Sequence, residues 1–129
     1  MKSIQYIIFF LFFGSLFIMA SCNDKEDNEA PEISILSPQN NEVFNVGDTI
    51  NIHFEVTEND ELHHINADLL DEESNKLWHR HWHSHLQFFE WQDQFIVDES
   101  EAGKILTFKV AADDHNGNES EAMILITIE

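Results

Sequence analysis

Four histidines at alternating positions are the residues of this chain best suited to chemistry. His79, His81, His83 and His85 hold half of the chain's 8 histidines within seven consecutive positions. On a β-strand such residues share one face and stand about 6.6–7 Å apart along it. Two imidazoles at that spacing can tilt onto one ion, since Zn–N bonds are about 2.0–2.1 Å long, but four in a straight row cannot. The pattern predicts either one His-x-His pair completed by ligands from elsewhere, or two pairs that hold two ions.

His64 is predicted as a metal ligand together with the four histidines of the row. Further candidate ligands are spread along the chain: His53, His115, Glu90 and Asp93. Imidazole and carboxylate ligands without a thiolate suit Zn²⁺, Cu²⁺ or Ni²⁺. Two other interpretations of the row stay open. It is a solvent-facing polar stripe, or it is a patch that gains positive charge as the pH falls through about 6.5. A loop in place of a strand would let more than two of its histidines converge.

Strands must position these histidines, because apolar and polar residues alternate along much of the chain. The pattern predicts strands at 32–36, 43–46, 50–57, 65–69, 106–112 and 124–128, and two more within 76–97. In the histidine segment Trp78, Trp82 and Leu86 then face the core. Asn116-Gly117 predicts a two-residue hairpin turn, since both positions tolerate positive φ. About seven short strands separated by turns are typical of an all-β sandwich.

Two other features have both a functional and a structural interpretation. Aromatic residues crowd 78–95, and an exposed platform of Trp82 and Trp91 would stack on a sugar ring. We favour a place in the core for most of them, because large aromatic side chains dominate cores. Segment 113–118 is dense in oxygen ligands that could hold Ca²⁺, but it lacks the spacing and closing glutamate of an EF-hand loop. Ordinary turn chemistry is favoured there.

The start of the chain predicts where the protein resides. Lys2 precedes a nearly unbroken apolar run, which ends shortly before Cys22, the only cysteine. A positive start, an apolar core and small residues at a cleavage site are typical of a secretory signal. An uncleaved transmembrane anchor is the alternative, because the run is long enough to span a bilayer. We interpret 1–21 as a cleaved signal, 22–30 as an acidic tether and 31–129 as one domain.

The charge balance restricts the partners of the chain. The formal net charge is −19, from 6 Lys and Arg against 25 Asp and Glu. This acidity argues against nucleic acid as a partner and is compatible with cations or neutral sugars. The sequence contains no Gly-x-Ser-x-Gly elbow, no His-Glu-x-x-His motif and no Gly-rich phosphate loop. We therefore expect a binding protein rather than an enzyme.

Short motifs give the chain a family resemblance. Cys22 after Met19-Ala20-Ser21 resembles a bacterial lipoprotein lipobox, which implies acylation of that cysteine. The acidic residues that follow resemble the surface-export signal of Bacteroidota lipoproteins, although a flexible spacer has the same composition. Ala112-Asp113-x-x-x-Gly117-Asn118, with Pro31-x-Ile33-x-Ile35-x-Ser37-Pro38, resembles bacterial immunoglobulin-like or fibronectin-III-like domains.

Over 31–129 the chain is similar to a family of uncharacterised Bacteroidota lipoproteins that carry a domain of unknown function. The resemblance implies a single immunoglobulin-like antiparallel β-sandwich after a cleaved lipoprotein signal, anchored by lipid in the outer membrane. Exposure at the cell surface follows if the acidic residues are the export signal, and exposure to the periplasm is the alternative. The resemblance supplies no established activity. The resulting prediction is a lipid-anchored protein that binds a divalent transition metal. The alternatives are an adhesive or accessory module for a glycan or a surface protein, and a purely structural domain.

Overall fold

The computed structural model describes residues 27–129, which form eight strands and one short 3₁₀ helix. The strands are β1 (Glu32–Ser37), β2 (Glu42–Phe44), β3 (Thr49–Thr57), β4 (Leu62–Leu70), β5 (Lys76–His83), β6 (Phe88–Ile96), β7 (Ile105–Asp114) and β8 (Glu119–Ile128). The 3₁₀ helix, Glu99–Glu101, lies between β6 and β7. Within 27–129 no helix is long and apolar enough to cross a membrane. The predicted signal, Cys22 and the first part of the tether lie outside the described residues.

The strands form two sheets, which confirms the predicted all-β sandwich. One sheet has the order β1-β3-β6 and the other the order β2-β8-β7-β4-β5. All pairs are antiparallel except that of β2 with β8, which is parallel. The chain passes from the first sheet to the second between β1 and β2. There β2 lies beside β8 and runs parallel to it. The short strand β2 corresponds to the strand predicted at 43–46, and the sandwich has eight strands within 27–129.

The core lies between the sheets and follows the alternation of the sequence. Strands β3 and β7 occupy the middle of their sheets, and each buries every second residue. The fully buried apolar residues of these two strands include Ile50, Phe54, Val56, Leu106, Phe108 and Val110. Each side chain of this kind contributes about 1.5–3 kcal/mol when it leaves water. The core thus fixes which face of every strand remains outside.

The prediction that Leu86 faces the core is wrong, since this side chain is 62% exposed. Strand β5 ends at His83, so the alternation does not continue to Leu86. Its carbonyl instead accepts the backbone N–H of Leu62 at 3.1 Å. The backbone of this loop is therefore bound to the start of β4, while the side chain points outward.

The predicted hairpin turn at Asn116-Gly117 is in the right place but is wider than two residues. Strand β7 ends at Asp114 and β8 begins at Glu119. The Oδ1 of Asp114 accepts the backbone N–H groups of Asn116 and Asn118, each at 2.8 Å. This side chain organises a longer loop and replaces the hydrogen bonds of a tight turn.

Candidate metal centre

Three of the four alternating histidines lie on the outer face of β5. His79, His81 and His83 are exposed, whereas Trp78 is buried and Trp82 packs against the core, as the alternation predicts. The fourth, at position 85, follows the end of the strand. The row is therefore a strand face over three positions and continues into a loop.

The register between β4 and β5 decides what each histidine meets. His79 lies opposite Asp68, His81 opposite Asn66, and His83 opposite His64. The Nδ1 of His79 lies 2.5 Å from the Oδ1 of Asp68, and the Nδ1 of His81 lies 2.8 Å from the Oδ1 of Asn66. These two imidazoles are held by polar partners of their own. Of these three pairs, only that of His83 with His64 joins two histidines.

A β-bulge adds one more histidine to the same face. Leu62 pairs with Asp114 and His64 pairs with Asp113, so His63 is an extra residue of β4 without a counterpart in β7. A bulge interrupts the alternation and re-aims a side chain. Here the rings of His63 and His64 lie side by side, with centroids 3.6 Å apart, and both residues are half-buried. Two successive residues therefore present imidazoles to one place.

Three imidazoles converge there: those of His63, His64 and His83. Each offers one nitrogen, and the three nitrogens lie within 4.8 Å of one another. The ring centroid of His83 is 4.8 Å from that of His63 and 5.0 Å from that of His64. A tetrahedral Zn²⁺ needs its nitrogens about 3.3 Å apart, given Zn–N bonds of about 2.0–2.1 Å. Modest side-chain rotations would bring this set onto one ion.

Asp113 of β7 supports two of these imidazoles. Its Oδ1 accepts the backbone N–H of His64 at 3.0 Å. The same oxygen lies 3.2 Å from the Nδ1 of His64 and 3.3 Å from the Nδ1 of His63. When Nδ1–H donates to the carboxylate, the lone pair of each ring is on Nε2. Histidines that bind metals typically donate their other N–H to a carboxylate in this way.

A second group adjoins the first and consists of Glu61, His85 and His115. One ligand atom of each lies within 4.8 Å of the other two, and the Nε2 of His115 is 2.9 Å from the Nδ1 of His85. The groups are continuous, because the rings of His63 and His115 are 4.4 Å apart and those of His83 and His85 are 4.9 Å apart. We call the five imidazoles the histidine patch: His63, His64, His83, His85 and His115.

The patch changes the acidity of its central member. Desolvation by the surrounding residues lowers the pKa of His83 below 6.5, and positive charge on the other patch histidines lowers it further. A histidine that is neutral at physiological pH keeps its lone pair for a metal ion, because ligand imidazoles must be deprotonated. The lowered pKa therefore leaves the imidazole of His83 free of a proton at physiological pH.

The other predicted ligands lie elsewhere. His53 and Glu90 are on the outer face of the other sheet, where the Nε2 of His53 is 2.8 Å from the Oε1 of Glu90. Asp93 accepts the indole N–H of Trp78 at 3.1 Å and pairs with Arg80 at 3.0 Å. The sandwich separates His53 and Glu90 from the histidine patch, whereas Asp93 is half-buried on β6 and bound to two residues of β5. Of the predicted ligands outside the row, His64 and His115 belong to the histidine patch.

Trp82 and Trp91, the candidate glycan platform, lie at the margin of the core between the edge strands β5 and β6. Their ring centroids are 4.9 Å apart with the planes inclined at 55°, and Trp82 meets the ring of Phe54 at 5.8 Å. Both are partly buried against the core. The rings pack on one another instead of forming one flat face. Glycan binding by them stays a prediction.

The sequence does not predict His63 as a ligand: the alternation places the strand at 65–69, and in a regular extension of that strand His63 would face the side opposite to His64. The sequence carries a signal for the bulge: Leu62 and Ile65 are both apolar although they are three positions apart. In the structure both are fully buried. A regular strand cannot bury both on one face, so one residue between them had to be extra.

Comparison with known proteins identifies the family. Residues 19–109 match the family described as "Domain of unknown function (DUF4625)". A similar solved structure is that of Spo0M, a sporulation control protein from Bacillus subtilis, with 9% sequence identity and a TM-score of 0.50 over 78% of this chain and 50% of that chain. This chain thus spans about half the length of that protein, and the likeness shows the fold alone. None of the curated proteins matches. Since the matched region covers most of the chain, the protein belongs to the DUF4625 family.

Proposed function

We propose that this protein is a non-catalytic binding protein that holds a divalent transition metal at His63, His64 and His83. The observation that carries the proposal is the convergence of their three nitrogens within 4.8 Å of one another. Asp113, 3.2 Å from the Nδ1 of His64, supports it. A carboxylate in this position orients the imidazole and raises its basicity as a ligand.

The ligand type narrows the choice of ion. Imidazole ligands without thiolates suit Zn²⁺, Cu²⁺ or Ni²⁺. Three protein ligands leave the fourth position of a tetrahedral ion open to water or to a ligand from a partner. Glu61, His85 and His115 offer ligands for a second ion beside the first. An open site of this kind, in a chain with a net charge of −19, suits uptake, storage or transfer of cations.

The proposal includes a lipid anchor at Cys22 in the outer membrane, with the domain exposed at the cell surface. Its support is the signal-like start of the chain and the acidic residues after the cysteine. Two or more acyl chains would hold the protein stably, whereas one would bind reversibly.

Calorimetric titration of Zn²⁺ and Cu²⁺ into the metal-stripped full chain, kept in detergent micelles, tests the metal site. The informative variant carries His63→Ala, His64→Ala and His83→Ala. The matched control carries His79→Ala and His81→Ala, which remove two imidazoles from the same sheet face. We expect stoichiometric binding by the parent and by the control, and its loss in the triple variant.

Weak binding by the parent, or equal binding by the triple variant, would contradict the proposal. The adhesive or accessory alternative would then be tested by polysaccharide retention, with Trp82→Ala and Trp91→Ala as the variants. If the parent is retained by a polysaccharide and the folded variants are not, the result would support a glycan-binding module. Absence of retention in the parent would leave protein binding or a purely structural domain.

A further inference from the structure

Three carboxylates from distant parts of the chain meet at the same end of the sandwich as the histidine patch. They are Asp27 before β1, Glu58 after β3 and Asp114 at the end of β7. One oxygen from each lies within 4.8 Å of the other two. Glu58 is only 9% exposed and Asp114 only 2% exposed. The cluster is therefore mostly withdrawn from water, unlike the many acidic residues of the surface.

Two oxygens of this cluster lack a partner. The Oδ2 of Asp27 and the Oε2 of Glu58 are buried and have no hydrogen-bond donor among the described residues. The other oxygen of each is held: the Oε1 of Glu58 accepts the N–H of Asn59 at 2.8 Å, and the Oδ1 of Asp27 accepts the side-chain N–H of Asn59 at 3.0 Å. A buried, unpaired carboxylate oxygen is unfavourable, and a bound ion is one of the few explanations for it.

Within the described residues 27–129, no Lys or Arg side chain balances the charges of the cluster. All four Lys and Arg residues within 27–129 pair with other carboxylates: Lys76 with Asp68, Arg80 with Asp93, Lys104 with Asp71 and Lys109 with Glu121. Like charges as close as those of the three carboxylates repel unless a cation lies between them.

We propose that Asp27, Glu58 and Asp114 bind one Ca²⁺ ion, which ties the segment before β1 to the loops at this end of the sandwich. An all-oxygen ligand set selects a hard cation. Ca²⁺ accepts six to eight oxygens in irregular geometry, whereas Mg²⁺ requires a near-ideal octahedron. The side-chain amides of Asn59 and Asn118 donate to the Oδ1 and to the backbone carbonyl of Asp27, at 3.0 Å and 3.1 Å, and so hold this residue beside the other two carboxylates.

The calcium site is distinct from the histidine patch, although one strand serves both. Asp113 and Asp114 are successive residues of β7 with different exposure: the first is half-buried beside His64, and the second is buried. Successive residues of a strand face opposite sides. The proposal therefore does not depend on transition-metal binding, and calcium binding should persist when the three ligand histidines are replaced.

Thermal unfolding of the full chain in detergent, followed by tryptophan fluorescence with Ca²⁺ or with a calcium chelator, tests the site. The test variant is Glu58→Gln, which keeps the shape and the bonded oxygen. The control is Glu72→Gln, which removes the same charge from an exposed turn. We expect Ca²⁺ to raise the Tm of the parent and of the control but not that of Glu58→Gln. Under the chelator, Glu58→Gln should be at least as stable as the parent, because one of three repelling charges is gone.

Three outcomes would overturn the proposal: a parent Tm that does not respond to Ca²⁺, a response that Glu58→Gln retains, or equal responses to Ca²⁺ and Mg²⁺. Amide hydrogen exchange tests the tie itself. Ca²⁺ should slow exchange of residues 27–30 in the parent and leave it unchanged in Glu58→Gln. If Ca²⁺ leaves the exchange of residues 27–30 unchanged in the parent, the ion does not tie this segment to the domain, and that part of the proposal is refuted.

Discussion

His83 connects the two groups of the histidine patch, because its ring contacts both. It lies 4.8 Å from the ring of His63 on one side and 4.9 Å from the ring of His85 on the other. Its pKa is lowered by desolvation and by positive charge on its neighbours. Each proton that the patch takes up therefore opposes the next, and a metal ion competes with protons for the same nitrogens.

This lowered pKa predicts a loss of stability in mild acid. The unfolded chain takes up a proton on His83 near pH 6.5, whereas the folded chain resists it, so the unfolded state binds more protons. The free energy of unfolding should therefore fall as the pH drops below about 6.5 and through the folded pKa. Urea unfolding over this range measures it, and His83→Gln should show a smaller fall. Identical pH curves for parent and variant would contradict the prediction.

Asp113 acts on the metal through the imidazoles that it positions. Asp113→Asn keeps the size of the side chain but removes the charge that favours Nδ1–H donation from His63 and His64. We expect the affinity for Zn²⁺ to fall about 10–100-fold, the usual cost of losing such a carboxylate, with the stoichiometry unchanged. Competition with a chromophoric chelator measures this. Glu121→Gln is the control, because it removes a charge from the adjacent strand; an equal loss there would indicate a general charge effect.

At the scale of elements, the bulge in β4 decides the composition of the site. Its extra residue, His63, separates Leu62 from His64, whose partners Asp114 and Asp113 are consecutive in β7. Deletion of His63 should therefore restore a regular ladder and leave the domain folded. We expect the deletion to weaken Zn²⁺ binding at least as much as His63→Ala, with no loss in the midpoint of urea unfolding. An unfolded deletion variant would show that the bulge is needed for the fold itself.

The core strands allow a direct test of the sandwich. Phe54 of β3 is fully buried and packs against Phe108 at 6.3 Å, whereas Phe88 of β6 is 49% exposed. Phe54→Ala should destabilise the domain by about 3–5 kcal/mol, because it leaves a cavity between the sheets. Phe88→Ala should cost less than about 1 kcal/mol. Chemical unfolding of both variants measures the difference, and similar losses would contradict the observed packing.

The sequence predicts the strands better than the site, for a physical reason. Alternation is local, so β3, β7 and the outward row of His79, His81 and His83 are visible in the sequence. Register is not local: nothing near His83 indicates that it lies opposite His64 rather than opposite Asn66. The calcium cluster is harder still to foresee, because Asp27 and Asp114 come together only through the closure of the whole sandwich.

At the scale of the whole molecule, both candidate ion sites lie at the end of the sandwich from which the chain leads back to Cys22. Cys22 lies five positions before Asp27, and an extended chain of five steps spans at most about 18 Å. If Cys22 is acylated, this end of the domain is held close to the lipid surface. The histidine patch would then exchange ions with partners near the membrane rather than with partners distant from it.

Cys22→Ser tests the anchor. We expect the parent to incorporate labelled fatty acid and to sediment with the outer membrane, and the variant to lose the label. We expect its release from the membrane, because a chain with a net charge of −19 is repelled by anionic lipid. Continued labelling would refute the lipid anchor. A variant that stays in the membrane without label would indicate that the apolar start of the chain is an uncleaved transmembrane segment.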